Sequence, residues 1–235
     1  MKTITKITIA TFLSVAVFSV FTTQIQAATI MQEEFFSGTP NFDPVMTFNE
    51  FDTSLGTLNS VTVKLTLTIT GGDLEVDNDG VAPATVNVSL GADGSLTSSD
   101  VAFFPSLSTT TANTATFNLA ANDGDGAGVQ NLGPDYAILI GTTNTNMNSD
   151  TLTHPLILDE YKGTGTFDIN GDINTNLDFG GIGGVAGSFN PIGVTGSVKI
   201  TYDYDSIAPV PEPSAYALVI AGIGLLTLRN RRRSR

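Results

Sequence analysis

The stretch that decides the fold class is residues 58–70, LNSVTVKLTLTIT. Its apolar and polar residues alternate strictly, with Val61, Val63, Leu65, Leu67 and Ile69 forming the apolar set. A period of two places each set on one face of a β-strand, so the stretch predicts a strand with one buried and one solvated face. Thr and Val are stiff at χ1 and fit a pleated surface, so propensity agrees with the pattern.

Similar alternation occurs elsewhere in the chain, with turn residues between the segments. It predicts further strands at residues 45–51, 84–90, 114–119, 136–141, 164–169, 173–179 and 196–204. Apolar residues at helical spacing do not persist beyond about two turns, so helices should be few and short. The pattern predicts an all-β domain, an antiparallel β-sandwich of the jelly-roll or Ig-like kind, with a β-barrel as the alternative. Asn170-Gly171 predicts a type I′ hairpin turn.

The central region carries a strong negative charge. From Thr29 to Ala208, 22 acidic residues stand against Lys64, Lys162 and Lys199, a net charge of −19. Such a surface repels nucleic acid and anionic lipid, so we expect no nucleic-acid partner. The chain has no cysteine, which excludes disulfides, thiol redox chemistry and thiolate metal sites.

The N-terminus has the layout of a secretory signal peptide. Lys2 and Lys6 precede an apolar stretch, residues 7–21, that would form the signal helix. Signal peptidase requires small residues beside the bond that it cuts, so we expect cleavage near Ala27 and Ala28. The sequence therefore divides into a signal peptide at residues 1–28, one domain at 29–208 and a C-terminal tail at 209–235.

The tail combines a proline motif, an apolar run and a basic end. Pro211, Glu212 and Pro213 cannot lie inside a helix, so they mark an accessible boundary before the apolar residues 215–228. These 14 residues predict a single membrane helix, shorter than the roughly 20 residues of an ordinary span. Guanidinium groups resist transfer across hydrocarbon, which keeps the basic end in the cytoplasm. The basic residues are Arg229, Arg231, Arg232, Arg233 and Arg235.

In its parts and their order, this tail resembles the PEP-CTERM sorting signal of Gram-negative bacteria. The resemblance implies an inner-membrane intermediate, cleavage near Pro211-Glu212-Pro213 by the membrane enzyme exosortase, and transfer to the cell surface, outer envelope or extracellular matrix. PEP-CTERM proteins tend to accompany exopolysaccharide production, so the resemblance also implies a part in the biofilm matrix. The alternative is an ordinary C-terminal membrane anchor that keeps the tail uncut.

The central region also resembles a family, the choice-of-anchor E domain of bacterial surface proteins. Residues 51–67 contain Leu55-Gly56-Thr57-Leu58 followed by the alternating apolar residues, as at the opening of that domain. The segments 163–167 and 196–202 are similar to its ending. The resemblance implies a surface β-domain of unassigned activity.

Clustered acidic residues raise the question of metal binding. Asp73, Glu75, Asp77 and Asp79 form an oxygen-rich segment that can supply ligands to Ca²⁺, although Val86 stands where an EF-hand needs its twelfth-position Glu. The alternative is a hairpin turn whose acids face water. The segments 122–126 (NDGDG) and 168–172 (DINGD) raise the same question, and the hairpin turn explains the second more simply.

The sequence indicates no catalytic centre. His154 is the one histidine and no G-x-S-x-G elbow accompanies it, while no spacing singles out a catalytic carboxylate pair. The Gly-rich segment 180–187 lacks the ending of a P-loop. We therefore assign no catalytic or cofactor-binding residue and expect a non-catalytic surface or matrix protein. The alternatives are a Ca²⁺-dependent polysaccharide-binding or adhesion module and a carboxylate-based hydrolase.

Overall fold

The computed structural model describes residues 26–129, 133–181 and 183–207, which form eleven strands, one short α-helix and one 3₁₀ helix. The helices are α1 (Pro155–Asp159) and the 3₁₀ helix Thr53–Leu55. The strands are β1 (Gln26–Gly38), β2 (Val45–Asn49), β3 (Gly56–Thr70), β4 (Asp73–Asn78), β5 (Ala84–Thr97), β6 (Leu107–Leu119), β7 (Tyr136–Ile140), β8 (Asn144–Leu152), β9 (Thr166–Asp178), β10 (Val185–Asn190) and β11 (Gly193–Ser206).

The strands pair antiparallel in three sheets. The first sheet has the order β1-β11-β3-β8, the second β2-β9-β5-β6 and the third β10-β4-β7. The prediction of an all-β antiparallel sandwich with few, short helices is confirmed. The predicted signal and tail helices fall outside the described residues, and within the described part no helix is long and apolar enough to cross a membrane.

Strand β3 lies at the centre of the core, as its alternation predicts. Val61, Val63, Leu65, Leu67 and Ile69 are each 0% exposed. Burying a side chain of this size contributes roughly 1.5–3 kcal/mol, so this face of one strand is a major part of the stability. The intervening polar residues face outward and form hydroxyl ladders to β8, such as Thr62 with Thr151 at 2.9 Å.

The second sheet covers this apolar face. Val86, Val88, Leu90 and Leu96 of β5 are buried in the same cluster as the β3 residues. At Gly94 the two sheets come close, because a Cβ added there would lie 3.4 Å from Leu67 Cδ2 and 3.2 Å from Ile173 Cδ1. Glycine at this position therefore leaves space for Leu67 of the opposite sheet and for Ile173 of the neighbouring strand β9.

The predicted hairpin turn at Asn170-Gly171 is wrong. Strand β9 runs without interruption through both residues, and Asn170 pairs with Val45 on one side and Thr97 on the other. The physical reason is that the alternation of apolar and polar residues continues through Asn170-Gly171 without a shift. Phe167, Ile169 and Ile173 share one face of a continuous strand, whereas a two-residue turn would place polar Asp172 opposite Ile169.

The sequence patterns did not predict four of the strands, β1, β4, β8 and β10. Strand β8, with the sequence NTNMNSDTL, is almost wholly exposed and has no apolar alternation, because it forms an edge of the first sheet. Strand β10 begins within the Gly-rich segment 180–187, and it is an edge of the third sheet.

Side-chain amides close both lateral openings of the sandwich. Gln32 of edge strand β1 pairs with the backbone of Asn49 in edge strand β2, with its Nε2 donating to the carbonyl at 2.9 Å and its Oε1 accepting from the N–H at 2.8 Å. On the other side, alternate asparagines of β8 donate to backbone carbonyls of β6, and we call this set the asparagine ladder. Its bonds are Asn144 to Ala112 (2.8 Å), Asn146 to Thr110 (2.7 Å) and Asn148 to Ser108 (2.8 Å).

Candidate functional site

The four acidic residues from Asp73 to Asp79 do not form a loop. Asp73, Glu75 and Asp77 lie in β4, the central strand of the third sheet, where Leu74 and Val76 alternate with them and are buried. Strand β4 pairs with β10 on one side and with β7 on the other, so the segment is a paired strand rather than a hairpin turn. Calcium binding by these residues as a group stays a prediction, and only Asp77, 1% exposed, is fully buried among them.

A different set of carboxylates converges in the described residues. Asp123, Asp125 and Asp135 each place one carboxylate oxygen within 4.8 Å of the others, and we call them the acidic cluster. Asp123 and Asp125 are exposed, whereas Asp135 is 0% exposed. The predicted segment 122–126 therefore supplies two members, and Asp135, which precedes β7, supplies a third that sequence reasoning missed.

Asn78, at the end of β4, holds together the segments that carry the cluster. Its Nδ2 donates to the carbonyl of Ala82 at 2.8 Å and to that of Ala120, and its backbone N–H donates to the carbonyl of Asp135 at 3.0 Å. Asn78 is 2% exposed, so these bonds replace contacts with water. One buried amide thus fixes both the loop after β6 and the residue before β7.

Hydrogen bonds inside the loop orient the carboxylates. The backbone N–H of Asp123 donates to Asp135 Oδ2 at 2.9 Å, and that of Asp125 donates to Asp123 Oδ1 at 3.2 Å. In each of these two carboxylates, one oxygen therefore accepts a hydrogen bond from the backbone of the loop. Gly133 lies close to the second oxygens, since a Cβ added there would be 2.5 Å from Asp123 Oδ2 and from Asp135 Oδ1.

Negative charges dominate the electrostatics of the cluster. The pKa of Asp125 is raised, first by desolvation and then by the carboxylates of Asp123, Asp77 and Asp135. Nearby, burial raises the pKa of the Tyr136 hydroxyl, and Glu75 raises it further. Every charged side chain acting on Asp125 is thus another acid, which favours a positively charged ligand over an anionic one.

The remaining candidates are not members of this cluster. The segment 168–172 is part of β9, where Asp168 accepts a bond from the Thr47 hydroxyl at 2.6 Å. His154 is exposed at the start of α1 and its side chain does not cap the helix. Gly180, Gly181 and Gly184 adopt positive φ in the turn that leads into β10.

The sorting tail, with Pro211, Glu212, Pro213 and the five arginines, lies outside the described residues. A family model described as the PEP-CTERM protein-sorting motif matches residues 209–233. The chain is therefore an exported surface protein with a C-terminal sorting signal. It is a PEP-CTERM sorting domain-containing protein, and its tail directs processing by exosortase.

Other comparisons add little. No curated protein shows significant similarity to the chain. Among solved structures, that of infectious bursal disease virus Gt strain shows 16% identity over 88% of this chain and 50% of the viral chain, with a TM-score of 0.21. The Gx strain structure shows 16% identity over 81% of this chain and 42% of the viral chain, with a TM-score of 0.18. The chain thus spans half or less of these viral chains, and TM-scores this low support no conclusion.

Proposed function

We propose that the domain is a non-catalytic structural protein of the extracellular matrix or outer envelope, associated with exopolysaccharide. The observation that carries the proposal is the sorting tail at residues 209–233, since the resemblance to PEP-CTERM proteins implies an association with exopolysaccharide production. The domain between signal and tail then acts outside the cell, where its −19 charge keeps it hydrated.

The surface chemistry supports contact with a hydrated polymer. The outer face of β5 and β6 forms an open groove that polar side chains line. Hydroxyl and amide groups of this kind exchange hydrogen bonds with sugars at small net cost. The polar side chains lining the groove are Asn87, Ser89, Thr114, Thr116 and Asp178.

We infer a route of two cleavages that spares the sandwich. Signal peptidase cuts near Ala27 and Ala28, and residues 215–228 hold the precursor in the inner membrane until exosortase acts near Pro211. The register is compatible with both cleavages, because Gln26 pairs with Ser206 and the two ends of the domain lie side by side on β1 and β11. Cleavage after Ala28 leaves the pair Thr29–Asp203 and the rest of β1 in place.

The carboxylate-based hydrolase has weaker support. It needs two carboxylates that face an open cleft wide enough for a sugar ring. In the acidic cluster, Asp135 is fully buried and its Oδ2 is occupied by the backbone of Asp123. We therefore retain a non-catalytic role.

The test is fractionation of the native host. Matrix is separated from cells and medium, and the protein is quantified before and after enzymatic digestion of the exopolysaccharide. We expect the wild-type protein in the matrix fraction and its release on digestion. A protein that remains with the cells, or stays sedimentable after complete digestion, contradicts the association with exopolysaccharide. The matched control is the Pro211→Ala/Glu212→Ala variant, which should remain with the cells.

A further inference from the structure

We propose that the acidic cluster binds one Ca²⁺ ion, which joins the loop after β6 to the start of β7. Asp123, Asp125 and Asp135 supply the carboxylate ligands. This site goes beyond the matrix role, and its existence does not depend on that role.

The spacing of the oxygens fits a shared ion. Calcium binds oxygens at about 2.3–2.6 Å, so two ligands of one ion lie at most about 5 Å apart. The three carboxylates meet this condition, with one oxygen each within 4.8 Å of the others. Gly133, with φ of 102°, keeps the space beside two of the oxygens clear, since any Cβ there would lie 2.5 Å from Asp123 Oδ2 and Asp135 Oδ1.

A second, independent observation is the buried oxygen of Asp135. Asp135 is 0% exposed, and among the described residues its Oδ1 has no hydrogen-bond partner. An ionised carboxylate in this state is strongly unfavourable unless a cation or a proton compensates its charge. Because Oδ1 lies on the same side of Gly133 as Asp123 Oδ2, one ion between them would compensate both carboxylates.

No lysine of the described residues acts on Asp125. Lys162 is paired with Asp159 at 2.8 Å, and Lys64 and Lys199 face each other across β3 and β11. Asp77, which is also buried, adds its negative charge to the cluster. The described residues therefore concentrate carboxylates at this site and supply no counter-charge to Asp125, which favours a hard, oxygen-preferring cation such as Ca²⁺.

The coordination number sets the expected affinity. Three carboxylates leave several of the six to eight calcium positions to backbone carbonyls or water, as in extracellular modules with dissociation constants of about 10⁻⁴–10⁻³ M. At 100 times the dissociation constant, a ligand that binds only the folded state stabilises a domain of this size by an amount equivalent to a Tm increase of about 5–10 °C.

The experiment uses the full chain, purified in detergent and stripped with EDTA, with calorimetric titration of CaCl₂ and thermal unfolding with and without 10 mM CaCl₂. The Asp125→Asn variant is the main test, because Asp125 is exposed and its side chain can change without opening the core. Asp43→Asn, an exposed carboxylate on another loop, is the control with the same change of charge. We expect the calcium-dependent Tm increase in wild type and Asp43→Asn, and at least a tenfold weaker affinity in Asp125→Asn.

A second variant makes an opposite prediction in the absence of metal. Asp135→Asn removes the buried charge, so we expect its Tm in EDTA to equal or exceed that of the wild type, with no calcium-dependent increase. The proposal is overturned if calcium leaves the wild-type Tm unchanged. It is also overturned if Asp125→Asn responds to calcium as fully as Asp43→Asn does, since the effect would then be general screening of charge.

Discussion

The asparagine ladder should hold the two sheets together along one side of the sandwich. The decisive perturbation is the double variant Asn146→Ala/Asn148→Ala, which removes two amide donors that bond to the carbonyls of Thr110 and Ser108. Each such bond contributes about 0.5–1.5 kcal/mol net, so the variant should lose about 1–3 kcal/mol of unfolding free energy. For a domain of this size, that corresponds to a Tm decrease of about 2–12 °C.

A matched control separates the ladder from asparagine content. The double variant Asn87→Ala/Asn118→Ala removes two exposed asparagines whose amides accept bonds from Thr116 and Thr85. Those bonds join β5 and β6, which the backbone already pairs along their length, so we expect a change within about 0.5 kcal/mol.

Urea unfolding monitored by circular dichroism, with hydrogen exchange of β6 and β8, measures both effects. In the ladder variant we also expect faster exchange in β8 and a greater tendency to aggregate, because the edge of β6 loses its cover. Equal stability losses in the two double variants would refute the idea that the ladder joins the sheets.

Other predictions concern the core and its tyrosines. Leu65 is 0% exposed, so Leu65→Ala should lower the free energy of unfolding, measured in urea, by about 2–5 kcal/mol. Thr66→Ala, on the opposite face of β3, should lower it by less than about 0.5 kcal/mol. Similar losses in the two variants would contradict the assigned faces of β3. Tyr161→Phe should leave the free energy of unfolding unchanged or raise it by about 1 kcal/mol, because the buried hydroxyl has no partner in the described residues. Tyr202→Phe should lower it by about 0.5–1.5 kcal/mol, because the variant lacks the hydrogen bond from the Tyr202 hydroxyl to the Asn49 carbonyl. A loss in Tyr161→Phe equal to that in Tyr202→Phe would count against this difference. Burial raises the pKa of both tyrosines above the ordinary value of 10.0, so their contribution to stability is complete below pH 10 and is lost as the pH rises towards the folded-state pKa. Absorbance titration of the phenolates should show these two ionising only with unfolding, and ionisation of all tyrosines near pH 10 in the folded protein would contradict their burial.

Local patterns predicted the core strands because burial imposes a period of two on them. Strand β3 shows this most clearly, with polar and apolar residues assigned to the correct faces. The pattern is missing where neither face of a strand is buried, as in β8. That strand is held instead by backbone pairing with β3 and by side-chain hydrogen bonds that it donates to β6. Asn170-Gly171 is a sequence typical of a hairpin turn, but the residues on both sides of it alternate. The strand continues through it because Ile169 and Ile173 lie on the same buried face.

The candidate metal site was only half accessible to sequence reasoning. Asp123 and Asp125 stand in a visible acidic motif, but Asp135 is ten residues further along and comes back to the motif through the hydrogen bonds of Asn78. Tertiary structure alone creates that proximity. The sorting tail is the opposite case, because it is a continuous stretch of sequence, residues 209–233, that can be found without knowing the fold.

The most direct test of the central claim is the intact mass of the protein recovered from the surface and medium of its native host. Wild type is compared with the Pro211→Ala/Glu212→Ala variant. Processing through the sorting tail predicts a wild-type mass that lacks both terminal segments and a variant that retains the arginine-rich end. An identical mass with the tail intact in both would identify a plain membrane anchor and contradict the account.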